Sequence, residues 1–239
     1  MNKIDTEELN IMYEDNHILV VVKPQNVPSC PDDSGDDDLL SALKRYLVEK
    51  YNKPGDAFLG LVHRLDRPTG GVMVFAKTSK AAARLSESIR AGQLEKKYLA
   101  VTCGAMRDKK GVLKNALYKD ESTNSVYCVP IATEGAKLAV LEYKTLDVKK
   151  EIALVEIKLI TGRSHQARVQ LATAGTPIFG DAKYAKGKSP SGYNLALWAV
   201  ELRFPHPTNK ETMVFRVYPP VEDVPWKFFD VAGKLSIIR

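Results

Sequence analysis

Leu61-Val62-His63-Arg64-Leu65-Asp66-Arg67-Pro68-Thr69-Gly70-Gly71 runs straight on into Val72-Met73-Val74-Phe75-Ala76. A carboxylate stands between two arginines, just ahead of a Pro-Thr-Gly-Gly turn signal and an apolar segment of strand length. That segment reads as a strand buried on both faces. If residues 63–66 are extended, alternate side chains share a face. Arg64 and Asp66 then point one way, His63 and Leu65 the other. Leu65 becomes the anchor, and Asp66 projects beside Arg64 into a basic mouth. An Asp with cationic neighbours, on a loop held by a buried strand, is a candidate ionised nucleophile. A surface Arg–Asp pair closing a turn fits the same spacing.

Upstream, Ile18-Leu19-Val20-Val21-Val22 is a β-branched run and predicts a second buried strand, ended by Lys23-Pro24. Residues 24–38 hold three prolines, Gly35 and an Asp run, and read as an exposed loop. The Asp run lacks the alternating ligands and closing Glu of a calcium loop. Asp37 or Asp38 instead caps a helix from Leu39 to Lys50, with Leu40, Leu43 and Leu47 as its apolar stripe. Downstream, Thr78 or Ser79 opens a second helix that Gly92 stops. Lys96 to Val101 reads as a strand, and residues 111–146 as hairpins. Ile152 to Ile160 is another strand, and Thr161-Gly162-Arg163-Ser164 turns into a helix from His165 to Ala174. Leu195 to Phe204 and Glu211 to Val217 form a last hairpin. Strands outnumber helices and pair mostly through hairpins, which predicts an α+β fold on a large, mainly antiparallel mixed sheet flanked by helices and loops. No repeat or composition break divides the chain, so residues 1–239 are expected to form a single catalytic domain.

The 239 residues are 44% apolar and 27% charged, an ordinary globular balance. No apolar run nears the roughly 20 residues that span a bilayer, and the acidic start Met1-Asn2-Lys3-Ile4-Asp5-Thr6-Glu7-Glu8 is no signal peptide. Cys30, Cys103 and Cys128 are odd in number and far apart, as suits free thiols in the cytoplasm. The formal charge is +6; setting aside Asp32, Asp33, Asp36, Asp37 and Asp38 leaves 35 basic against 24 acidic residues, or +11. That excess suits a polyanionic partner.

His-Arg-Leu-Asp-Arg-Pro-Thr-Gly-Gly resembles the catalytic motif of the RluA family of RNA pseudouridine synthases, with Gly70 where the family usually has Ser. The likeness extends from about Ile11 to Pro219. Val20-Val21-Val22-Lys23-Pro24 resembles the family's opening strand, and Lys97-Tyr98-Leu99-Ala100 its second motif. Thr161-Gly162-Arg163-Ser164-His165-Gln166-Ala167-Arg168-Val169 resembles its third, continued by Pro177-Ile178-Phe179-Gly180-Asp181. The likeness implies the family's fold, an isomerase that converts uridine in ribosomal or transfer RNA to pseudouridine, and Asp66 as nucleophile. Tyr98 takes the place of the active-site tyrosine, and Arg168 that of the arginine facing the catalytic Asp. Only about ten residues precede the opening strand, so the S4-type RNA-binding domain found in many members is not expected.

The chemistry agrees with this composition. Pseudouridine formation breaks an N-glycosidic bond, turns the base and rejoins it through carbon. It is redox-neutral and needs no cofactor, in keeping with the missing Walker and dinucleotide-binding glycine patterns. The four His have no zinc spacing, so no metal is expected either. The sequence leaves open whether Asp66 attacks the sugar or the base, or stabilises an oxocarbenium-like centre. Tyr98 offers an aromatic face and a hydroxyl for proton transfer. Arg64 is expected to enter the space left when the target nucleotide swings out of its stack, and His63 to hydrogen-bond within the turn. Arg67, Arg163 and His165 complete the expected RNA contacts, Arg163 at a helix start where it would meet a phosphate. RNA is the expected partner, with no membrane and no obligate protein, for a cytoplasmic monomer. A non-catalytic RNA-binding protein and a carboxylate-dependent nucleoside or glycoside hydrolase are the alternatives.

Overall fold

The computed structural model describes residues 3–235; of the acidic opening segment, Met1 and Asn2 lie outside them. In chain order the strands are β1 (Asn10–Glu14), β2 (Ile18–Lys23), β3 (Gly60–Leu61), β4 (Gly70–Ala76), β5 (Glu95–Cys103), β6 (Lys110–Asp120), β7 (Ser125–Val129), β8 (Lys137–Lys149), β9 (Ile152–Leu159), β10 (Leu197–Pro205) and β11 (Thr212–Arg216). The α-helices are α1 (Leu39–Lys50), α2 (Ser79–Arg90), α3 (Gln166–Thr173) and α4 (Val231–Leu235). The class is α+β on a large, mainly antiparallel sheet. The chain divides into two compact units, one of residues 1–94 and 201–217, the other of residues 95–200 and 218–239.

In the first unit β2 lies antiparallel to both β1 and β4, with Val20 opposite Val74 and Lys23 opposite Gly71. Every residue of β4 is buried, as an unbroken apolar strand requires. Gly71 has φ +124°, a conformation an L side chain rarely adopts, at the point where the loop enters the strand. One core gathers Ile18 and Val20 of β2, Val72 and Val74 of β4, Ala81 and Leu85 of α2, and Leu202 and Phe204 of β10. Each Val, Leu, Ile or Phe side chain among them stabilises the fold by roughly 1.5–3 kcal/mol when fully buried. The helix starts follow from local hydrogen bonds. Asp38 accepts from Ser41 N at 3.0 Å to open α1, and Thr78 accepts from Ala81 N at 3.1 Å to open α2.

In the second unit β5, β9, β8, β6 and β7 form a continuous antiparallel series. Helix α3 lies on β6 and β7, where Val169 meets Leu117, Val126 and Ala139 in a small core. The expected helix start at His165 is one residue early. His165 takes a left-handed backbone (φ 51°), and its side chain makes no capping bond, so the helix begins at Gln166. Gln166 supplies the cap from within, its Oε1 accepting from Arg163 N at 3.0 Å.

Glu14, at the end of β1, is the polar hub of the first unit. Its carboxylate meets Lys77 Nζ at 2.6 Å, Tyr51 Oη at 2.7 Å, Lys50 Nζ at 2.8 Å and Tyr46 Oη at 2.9 Å. Burial pushes the carboxyl up, but the bonds from Lys50, Lys77, Tyr51 and Tyr46 outweigh it and bring Glu14 down to about 2. A depressed carboxyl stabilises the fold above its ordinary pKa and loses that contribution as pH falls through the folded value. Wild type should therefore exceed Glu14→Gln in unfolding free energy at pH 7, by about 1.5–3 kcal/mol on the range for hydrogen bonds to a charged group. The difference should shrink as pH drops from the carboxylate range toward about 2. Urea denaturation at a series of pH values checks this; a gap independent of pH would contradict it.

Candidate active site

The Asp66 loop sits between β3 and β4, and segment 23–29 fastens it down. Ser29 Oγ donates to Leu65 O at 2.7 Å and accepts from Leu65 N at 3.2 Å. Lys23 Nζ donates to Pro24 O at 2.8 Å, Val27 O at 2.7 Å and Arg67 O at 3.0 Å. Gln25 Nε2 donates to Pro68 O at 3.1 Å. Within the loop, Thr69 N donates to Asp66 O at 2.9 Å and closes the turn. His63 Nε2 accepts from Val74 N at 3.1 Å, so its ring ties the loop to β4. Leu65 and His63 are buried, Arg64 is exposed and Asp66 is partly exposed. This is the alternation the sequence implied, although β3 ends at Leu61 and residues 63–66 belong to no strand.

The reading of residues 24–38 as an exposed loop holds for residues 31–36 and fails where the segment folds back onto the protein. Pro28 and Ser29 are buried, and the Asp run serves local bonds. Asp36 pairs with Arg67, Asp32 lies 3.9 Å from the same guanidinium, and Asp37 grips Arg45 at 2.5 and 3.0 Å. Arg67 also donates to Asn26 O at 3.2 Å. Lys23 is fully buried. Burial pushes its ammonium down to about 7, against the attraction of Asp66 and with the repulsion of Arg67. Its three protons each meet a carbonyl, which offsets the cost of taking the charge out of water.

The second unit carries Tyr98, Arg163, His165 and Arg168. Tyr98 is buried on β5, opposite Ile157 of β9. Arg163 is exposed, and its Nε donates to Leu138 O at 3.0 Å. Arg168 is buried on α3 and held by a carboxylate that the sequence reading gave no role. Its Nε and Nη2 donate to the two oxygens of Asp181 at 2.8 and 2.7 Å. Asp181 is 1% exposed, and its Oδ1 also accepts from Lys183 N and Tyr184 N. The Arg168 guanidinium lies 5.0 Å from the centre of the Tyr184 ring, and Tyr184 Oη meets His165 Nδ1 at 2.5 Å. Gly180 is required beside this network, because with φ +76° a Cβ there would stand 2.2 Å from Asn194 O.

Lys23, Ser29, Asp181 and Tyr184 thus join the candidates. Asp181 was legible only as part of a motif, and Lys23 only as a strand end within another. The bond that ties Lys23 to the Asp66 loop spans 44 residues and the one that ties Asp181 to Arg168 spans 13, so no local pattern announces them. Among the described residues no cluster of three or more His, Cys, Asp or Glu is placed to hold a metal ion. No described helix is long and apolar enough to cross a membrane. The first unit offers a partly exposed Asp66 on a rigid turn; the second offers a buried tyrosine and a locked guanidinium.

Comparison with known proteins places these features in one family. A family model described as RNA pseudouridylate synthase matches residues 17–173. An uncharacterised RNA pseudouridine synthase of Bacillus subtilis is 35% identical over 210 residues, 87% of this chain and 67% of the relative. The ribosomal large subunit pseudouridine synthase C of Haemophilus influenzae is 31% identical over 221 residues, 90% of this chain and 66% of the relative. Among solved structures, the human RNA pseudouridylate synthase domain containing 4 superposes with a TM-score of 0.76 at 25% identity, covering 95% of this chain and 93% of that one. The chain belongs to the RNA pseudouridine synthase family, whose members are isomerases acting on RNA.

The Arg168–Asp181 pair yields a stability test. Removing one partner of a buried ion pair leaves the other charge uncompensated, at about 3–5 kcal/mol. Asp181→Asn should lower the unfolding free energy by that amount, read in urea as a lower midpoint at an unchanged slope. A loss below about 1 kcal/mol, the range of an exposed pair, would contradict the pair's importance.

Proposed function

We propose that this chain converts uridine to pseudouridine in RNA, with Asp66 as the catalytic nucleophile and Tyr98 and Arg168 completing the catalytic set. The observation that carries the reading is the Asp66 turn: Leu65 is buried and the carbonyls of Leu65 and Arg67 on either side are bonded, while Asp66 itself stays partly exposed. A nucleophile needs this fixed approach, because catalysis depends on holding the reacting atoms in near-attack geometry. Tyr98 contributes an aromatic face for the uracil and a hydroxyl for proton transfer. Arg168 contributes a positive charge whose plane Asp181 fixes. Exposed Arg64 enters the gap left by the extruded nucleotide. His63 ties the loop, while Arg67, Arg163 and His165 serve RNA contact, Arg67 within its acidic clasp.

The names of the relatives favour ribosomal RNA of the large subunit as the substrate. The net charge of +6 favours phosphate contact. A cytoplasmic monomer working without a cofactor, its catalytic domain spanning residues 1–239, completes the reading. Asp66→Asn should lower pseudouridine formation at least about 10³-fold in RNA from a strain lacking this chain, the order expected for loss of a nucleophile. RNA affinity should be little changed, since binding is spread over many basic groups. Residual turnover within about tenfold of wild type would overturn the assignment.

A further inference from the structure

Ser29 is a buried residue outside the motifs, and its hydroxyl is unusually placed. It takes both main-chain groups of Leu65, the residue immediately before Asp66, donating at 2.7 Å and accepting at 3.2 Å. Its other neighbour is Met73 Sδ at 3.7 Å. These two bonds do what a strand partner does in a ladder, where the chain has none: β3 ends at Leu61 and β4 begins at Gly70. On the far side of Asp66, the Arg67 carbonyl is taken by Lys23. Ser29 thus fixes both peptides of Leu65, including the one that joins it to Asp66, while Thr69 N holds the peptide after Asp66 through Asp66 O at 2.9 Å.

We propose that Ser29 is a positioning residue for Asp66, setting the peptide plane from which the carboxylate projects; this rests on the reading of Asp66 as nucleophile. Leu65 is only 4% exposed, so apolar packing already holds that residue in place. Packing is non-directional and leaves rotation of the main chain about the anchor unspecified. Hydrogen bonds to both the N–H and the C=O are directional and remove that rotation. Asp has a short side chain, so a turn of the preceding peptide moves the carboxylate directly. A misplacement of about 1 Å is enough to cost roughly 10²-fold in rate.

The test compares Ser29→Ala, Ser29→Thr and Asp66→Asn with wild type on RNA from a strain lacking this chain. Single-turnover rate at saturating enzyme, RNA dissociation constant and thermal midpoint are measured, with the rates taken well below the lowest midpoint. Ser29→Ala should lose roughly 10- to 100-fold in rate with RNA affinity within about twofold. Ser29→Thr, which keeps the hydroxyl, should recover most of the rate. A purely structural serine would lower the midpoint and leave the rate of the folded enzyme alone, and that result overturns the inference. If Ser29→Ala does not fold, Ser29→Thr is compared with Ser29→Cys. A clearly faster Thr variant supports the proposal, and equal rates overturn it. An inactive Asp66→Asn beside a fully active Ser29→Ala removes the role of Ser29 alone. An active Asp66→Asn removes the nucleophile assignment, and this inference with it.

Discussion

A lysine with no access to water, its three protons spent on the carbonyls of Pro24, Val27 and Arg67, is the constraint on which the first unit's site depends. Burying an ammonium costs several kcal/mol unless every proton finds an acceptor, so the three carbonyls must be where they are. One belongs to the residue after Asp66, and the other two to the segment that also carries Ser29. The ion therefore couples the end of β2 to the loop before β4, and the register of the two strands, Lys23 opposite Gly71, keeps that coupling in line. A neutral residue of the same length could fill the space but would leave the three carbonyls without this donor.

The second unit solves the same problem with opposite charges. Arg168 is buried because Asp181 meets it with two parallel bonds, and Asp181 is buried because Arg168, Lys183 N and Tyr184 N satisfy it. Such a fork fixes the plane of the guanidinium as well as its position, which a lysine in place of Arg168 would not achieve. Both units thus hold a basic side chain rigidly inside the protein by surrounding it with main-chain or carboxylate oxygen. A rigid charge can stabilise a developing opposite charge without reorganising during the reaction.

Much of this was legible in the sequence, and the omissions have a common cause. The unbroken apolar run of β4, the helix from Leu39 to Lys50 capped by Asp37 or Asp38, and the start of α2 at Thr78 or Ser79 follow from rules acting over a few residues; the structure selects Asp38 and Thr78. So does the alternation of His63, Arg64, Leu65 and Asp66 between buried and exposed. Residues 24–38 misled, because prolines and aspartates look alike in a solvated loop and in one folded back onto the protein. What distinguishes them is a bond from Ser29 to a residue 36 positions away and a lysine bond 44 positions away. The Asp run misled for the same reason: counted as a block it isolates the remaining +11, yet in the fold it clasps Arg67 and Arg45. Asp181 carried a motif match but no role until α3 brought Arg168 against it.

The measurement closest to the central claim is a product balance on ribosomal RNA from a strain lacking this chain. After incubation with the purified protein, the RNA is digested to nucleosides and both these and any free base are quantified by mass spectrometry. An isomerase leaves the mass of the RNA unchanged. Pseudouridine gained should therefore equal uridine lost at a defined position, with no free uracil. Release of uracil with an abasic site would show a hydrolase in its place, and tight binding with neither product would show a protein that holds RNA without modifying it.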